Sequence, residues 1–174
     1  MNEENKRLCE EIPYLALHNA WTGKALKDYD YEVTEADRLP RGWRKLFIQM
    51  CRDIRQPLID AGLFDKFYFT EVKEKYNTLR AYNSGGTKEV SRIIGKYEHI
   101  SRYVCQICGK PADVETDGWI ESYCYKCFGA SNAPAYPIKF EPIMTIHTYS
   151  HGEETTEHID CSEEWNRLMN EVNE

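Results

Sequence analysis

Residues 105–127 read CQICGKPADVETDGWIESYCYKC. Two Cys-x2-Cys pairs, Cys105/Cys108 and Cys124/Cys127, stand fifteen residues apart. Each pair puts two sulfurs at the mouth of a tight turn, and two facing turns supply four thiolates in a tetrahedron. Zinc takes that coordination in closed structural sites. Gly109 follows the first pair, where a knuckle turn needs a positive φ. Four thiolates leave no position open for water, so the expected zinc is structural and not catalytic. The competing readings of such pairs are redox dithiols or disulfides. The total of seven cysteines is odd, and Cys9, Cys51 and Cys161 lie outside the cluster, which argues against a disulfide framework.

Outward from this module the chain divides into 1–104, a helix and sheet core with an N-terminal arm; 105–130, the zinc ribbon; and 131–174, a hairpin and final helix. In residues 41–60, Trp43, Leu46, Phe47, Met50, Cys51, Ile54 and Leu58 share one apolar stripe, which predicts a helix ended by Gly62 and bent or thinned at Pro57. Residues 88–103, capped by Thr87, repeat the pattern with Val90, Ile93, Ile94, Tyr97, Ile100 and Val104. Segments 66–72 and 78–82 read as a strand pair turning through the polar 73–77. Val114 to Tyr123 reads as a hairpin turning near Asp117-Gly118, and the residues after Cys127 as a loop with no helical pattern, which favours a ribbon over a treble clef. Segments 138–149 and 154–160 form a hairpin around His151-Gly152, and 162–172 a last helix. A short helix over 2–12 precedes an ordered aromatic-rich arm, with one helical turn after Thr34. The expected class is α+β: two amphipathic helices on a small antiparallel sheet, an integral four-cysteine zinc ribbon and a C-terminal hairpin-helix.

The net charge of −7 is unevenly placed. Residues 1–37 carry −5, residues 38–104 carry +7 and residues 105–174 carry −9. On the first long helix Arg41, Arg44, Lys45, Arg52 and Arg55 fall opposite the apolar stripe; Lys88, Arg92, His99 and Arg102 do the same on the second. Such stripes are either solvated faces, partly neutralised by the chain's own acidic ends, or a docking surface for an acidic partner or for phosphates. The ribbon itself has two lysines against four acids between Cys105 and Cys127, too little positive charge for phosphate binding.

Little points to catalysis. No histidine lies between the cysteine pairs, and there is no phosphate-binding glycine loop, nucleophile elbow or HExxH. Cys51 lies on an apolar helix face and reads as core. His147 and His158 become diagonal neighbours if His151-Gly152 is a two-residue turn; with His151 and Cys161 they pose a second metal site against the simpler reading of surface histidines. Asp28, Asp30 and Glu32 pose a cation site against ordinary solvent-facing acids. No apolar run spans a membrane and no leader is visible, which points to the cytoplasm.

Three segments carry a resemblance: Gly-Trp-Arg-Lys-Leu-Phe-Ile-Gln-Met-Cys over 42–51, Val-Lys-Glu-Lys-Tyr-Asn-Thr-Leu-Arg-Ala-Tyr over 72–82, and the first knuckle with Gly-Trp-Ile at 118–120. Together they resemble a family of phage and gut-bacterial proteins in which a G-W-x-x-L-F helix precedes a four-cysteine ribbon. The resemblance covers roughly residues 13–127 and supplies no catalytic residues. It implies a phage or mobile-element setting, in the host-cell cytoplasm, where small acidic zinc-bearing proteins act as inhibitors of host machinery. The function expected is therefore a non-enzymatic protein-binding module, a stoichiometric inhibitor of a bacterial defence system such as CRISPR-Cas. A nucleic-acid-binding accessory protein using the basic helix faces, or an enzyme of unrecognised type, are the alternatives.

Overall fold

The apolar stripe of the first long helix is buried along its whole length. In the computed structural model, which describes residues 2–129 and 131–173, Trp43, Leu46, Phe47, Met50, Cys51, Ile54 and Leu58 are all fully buried. Helix α1 spans Glu3–Glu11, and α2 spans Arg44–Asp60 after a 3-10 turn at Arg41–Trp43. Asn2 caps α1, its side chain accepting from the amides of Glu4 and Asn5. Helix α2 runs through Pro57 to Asp60 without ending early. It closes in a Schellman arrangement, with Leu63 N donating to Leu58 O at 2.9 Å and Gly62 at φ +67°.

Helix α3, Lys88–Ser101, packs its stripe of Val90, Ile94, Tyr97 and Ile100 against α2, so the two longest amphipathic helices satisfy each other. The other side of α3 covers an antiparallel pair, β1 Phe69–Lys75 and β2 Thr78–Asn83. The Ser101 hydroxyl accepts from Leu79 N at 2.8 Å and a Glu98 carboxylate oxygen from Ala81 N at 3.1 Å. Side chains of α3 thus satisfy edge amides of β2, closing that edge to further pairing. The N-terminal arm joins the same core through Ile12, Tyr14 and Leu15, with Tyr14 edge-on to Phe64, Phe67 and Phe69.

The strand bounds differ from the sequence expectation. Residues 73–75 continue β1, and the turn is only Tyr76-Asn77, both at positive φ (51° and 60°). That two-residue primed turn matches the right-handed strand twist. Polar residues at 73–75 mark a solvent-facing strand end and not a loop.

A three-stranded sheet in the order β4-β3-β5 follows α3, from β3 Val114–Thr116, β4 Ser122–Tyr123 and β5 Ala135–Pro137. Two features of this region depart from the expectation of a plain loop after Cys127. A one-turn helix α4, Tyr125–Phe128, contains Cys127 itself, and β5 pairs with β3. Three residues ending in Pro137 are too short to show a period, and proline is tolerated there because β5 is an edge strand. The C-terminal hairpin, β6 Ile143–Ser150 and β7 Glu153–Asp160, has the expected register, with Thr145 opposite His158 and His147 opposite Thr156. Helix α5, Ser162–Asn173, returns to the core through Leu168 and Met169, with Trp165 stacked on Phe140 at 4.1 Å. The class is α+β. No described helix is long and apolar enough to cross a membrane.

Candidate metal centre

Both knuckles are built by backbone hydrogen bonds that fold each cysteine pair back on itself. In the first, Cys105 N donates to Lys110 O at 2.8 Å and Gly109 N donates to Cys105 O at 3.0 Å, with Gly109 at φ +77°. In the second, Cys124 caps α4, Phe128 N donates to Cys124 O at 2.9 Å, and Asp113 Oδ2 accepts from Tyr125 N at 2.8 Å. Gln106 N donates to Ser122 O at 3.0 Å and ties one knuckle to the strand that leads into the other.

The result is a metal-binding geometry. The four Sγ atoms of Cys105, Cys108, Cys124 and Cys127 all lie within 4.8 Å of one another, with Cys108 Sγ and Cys124 Sγ 3.7 Å apart. Burial works against the Cys105 thiolate, but backbone amides from Cys108, Cys124 and Ile107 aimed at its sulfur outweigh that, and its pKa is lowered. Burial and the neighbouring sulfurs push Cys127 up to about 12. A bound cation would reverse that penalty by neutralising the crowded thiolates. The chain matches no protein-family model, no curated protein and no solved structure.

A buried polar network, which the sequence reading missed, fastens this centre to the core. Asn77, fully buried in the β1–β2 turn, donates through Nδ2 to Ser122 Oγ at 2.6 Å and to Glu115 Oε2 at 2.8 Å. It accepts from Gln106 Nε2 at 3.0 Å, while Ser122 Oγ donates to Arg102 O at 2.6 Å. On the opposite side, Gly42 N donates to Gln106 O at 2.8 Å and Trp43 Nε1 to Val104 O at 3.0 Å. The only available signals were an asparagine beside a hairpin turn and a glycine before a tryptophan.

The basic stripes turn inward to partners within the chain. Arg44 meets Asp37 and Asn5, each at 2.8 Å, and Lys45 donates to Glu171 O at 2.8 Å near the end of α5. Arg52 pairs with Glu11 at 3.2 Å, and Arg55 donates to Glu11 O and lies over the Phe64 ring. Arg92 pairs with Glu157 at 2.6 Å, and Arg102 grips Glu115 with two bonds of 2.8 Å, holding that carboxylate below its usual range. Arg41 reaches Ile107 O at 3.4 Å and His99 contacts Glu141 O. Lys88 lies close enough to Glu157 to help lower its pKa, after Arg92. The acidic segments at either end of the chain thus supply most of the counter-charges for its basic middle.

His147 and His158 are diagonal neighbours as the register requires, but each Nδ1 faces a cross-strand threonine, Thr156 at 3.3 Å and Thr145 at 3.2 Å. Cys161 is buried with its thiol turned to Ile159 O. Among the described residues, the four cysteines are the one group of three or more His, Cys, Asp or Glu side chains within ligating reach. The structure therefore brings neither the histidines nor Asp28, Asp30 and Glu32 into a second metal cluster. Burial pushes the thiols of Cys9 and Cys161 up to about 11 and that of Cys51 well above the ordinary value, so none is an activated nucleophile.

Proposed function

We propose that this chain is a non-enzymatic protein-binding module whose ribbon, held by a structural zinc, presents the docking surface. Four soft thiolates suit zinc. Tetrahedral Zn–S bonds of about 2.3 Å place sulfurs roughly 3.8 Å apart, against 3.7 Å for Cys108 and Cys124. Cys105, Cys108, Cys124 and Cys127 would fill all four positions, so the metal's contribution is to fix the two knuckles and the surface they carry.

The observation that carries the binding reading is the ribbon's exposed face. Trp119 is 78% exposed, yet its turn is fixed: Thr116 Oγ1 donates to Trp119 O at 2.6 Å and accepts from Glu121 N at 2.9 Å. Trp119, Ile107, Tyr123 and Phe128 line a shallow groove of about 360 Å³ with Asp117 and Glu121, and no lysine or arginine is among the described residues that line it. An aromatic on a stiff turn, ringed by apolar and acidic groups, has the chemistry of a protein hot spot and not of a phosphate site. The internal pairing of Arg44, Arg52, Arg92 and Arg102 weighs against the nucleic-acid alternative, because phosphates would have to displace those carboxylates. The resemblance to phage proteins supports an assignment as a stoichiometric inhibitor of a bacterial defence component, acting in the host cytoplasm.

The test is capture of partners from nuclease-treated host lysate by wild type and by Trp119→Ala. A protein retained at one-to-one stoichiometry by wild type and lost by the variant supports the reading. Retention of nucleic acid instead, or activity at far below one copy per target, would replace it by one of the alternatives.

A further inference from the structure

The side chain of Trp21 is 93% exposed, the most exposed large apolar residue among those described. It nevertheless stands on a stiff turn. Asn19 Oδ1 accepts from the amides of Trp21 and Thr22, each at 3.0 Å, and Gly23 N donates to Asn19 O at 2.8 Å. Asn19 N closes the turn onto Lys24 O at 2.9 Å, and Gly23 lies so close to the Tyr68 ring that a β-carbon there would stand 2.3 Å from Cε1. A tryptophan displayed from a preformed turn loses little entropy on binding and offers a large contact area.

The indole borders a groove of about 750 Å³ between this turn and the β1–β2 sheet. His18, Glu35, Arg38, Glu71 and Tyr82 are among its other lining residues. Glu35 is only 4% exposed, and among the described residues the one cation on it is Arg38, which meets Oε2 from the half-exposed rim at 2.9 Å. Tyr82 and Glu71 already hold an ammonium within the chain: Lys73 Nζ lies 5.6 Å from the Tyr82 ring centre and 2.8 Å from Glu71 Oε2. Trp21 has no such cation and no ring partner among the described residues.

We propose that this groove receives an arginine or lysine side chain from a protein partner, with its charged head against Trp21 and above Glu35. An aromatic face beside a buried carboxylate is the pairing that selects an organic cation. Among the described lining residues the one arginine is held by Glu35, so no unpaired guanidinium or ammonium is offered to a phosphate. A small free cation would leave most of the indole uncovered, whereas a polypeptide carrying the side chain covers it. The inference rests on the protein-binding reading only for the source of that side chain, because the groove is separate from the Trp119 face.

The test uses the full zinc-loaded chain and two capped peptides, acetyl-Gly-Arg-Gly-amide and the same peptide with citrulline, followed by NMR at the Gly23 amide of the Trp21 turn, a signal that every variant retains. The arginine peptide is expected to shift that signal saturably and to bind about tenfold or more tightly than the citrulline peptide, with Trp21→Ala and Glu35→Gln each losing a similar factor. Should Glu35→Gln fold poorly, Tyr82→Ala at an exposed position takes its place. Equal binding of the two peptides, or unchanged binding in Trp21→Ala, overturns the proposal. Trp119→Ala leaves the peptide shifts intact even if partner capture fails; loss of the shifts there would move the peptide to the ribbon and overturn the assignment.

Discussion

Gly42 and Cys105 touch through their backbones: a β-carbon at position 42 would stand 2.1 Å from the Cys105 carbonyl oxygen. Gly42 lies in the turn that leads into α2, and Cys105 is the first cysteine of the cluster with metal-binding geometry, so the start of the core helix and the first knuckle share one close approach. Gly109 closes it from the other side, where a β-carbon would stand 2.8 Å from Gly42 O. Both obstacles are backbone atoms, which cannot rotate away. The geometry of the cysteine cluster and the packing of the core are therefore coupled at this contact.

Gly42→Ala is expected to destabilise the fold by about 1–3 kcal/mol through overpacking, and to weaken metal retention at the same time. Thermal melting and chelator competition on the same samples check this. A variant that melts normally and keeps its metal would show that the knuckle can slide away from α2.

Elemental analysis should find one zinc per chain. Chelation, or Cys108→Ser, should lower the melting temperature sharply, because metal binding of about 10–16 kcal/mol in small modules is as large as the whole margin of a typical fold, about 5–15 kcal/mol. The Asn77 network and the Gly42 contact carry the loss into β1–β2 and α2, so the melt should be one cooperative event and not a separate loss of the ribbon. Two zincs per chain would revive the His147/His158 site.

Phe47 is fully buried in the core, its ring centre 5.3 Å from that of Phe69. Phe47→Ala should cost about 3–5 kcal/mol in denaturant unfolding. A cost below about 1 kcal/mol is outside the range for a packed core phenylalanine and would mean that the α2 face opens in solution.

The elements with long periods were legible in the chain. Seven apolar positions fixed α2, Thr87 fixed the start of α3, and the cysteine spacing fixed the metal centre. His151-Gly152 set the last hairpin's register, because a two-residue turn leaves no freedom in pairing. What stayed hidden was relational. The partners of Arg92 and Arg102 lie 65 and 13 residues away, at Glu157 and Glu115, and charge counts by segment show only that such pairing is available. Asn77 acts through its buried side-chain amide and Gly42 through close backbone approach, and neither leaves a period. Polar residues at 73–75 looked like a turn because a solvent-facing strand end has the same composition.

Glu35 sets a pH dependence of known sign. Burial raises its carboxyl to about 6, with Arg38 opposing, while His18, Arg38 and Glu71 are the ionisable groups that share its groove. A raised pKa means that the folded state binds the proton more tightly than the unfolded one. Glu35's contribution to stability is therefore fully present below the unfolded value of about 4.3 and is lost as pH rises through about 6. Glu35→Gln cannot titrate, so the stability of wild type minus that of the variant should fall between pH 4.5 and pH 6.5 and stay level above it, other groups cancelling in the difference. Urea unfolding of both proteins across that range measures it. A cation seated in the groove would favour the ionised carboxylate, so saturating arginine peptide should flatten the slope. A flat difference without peptide would show that Glu35 is solvated in the native state and that the groove is wetter than its walls suggest.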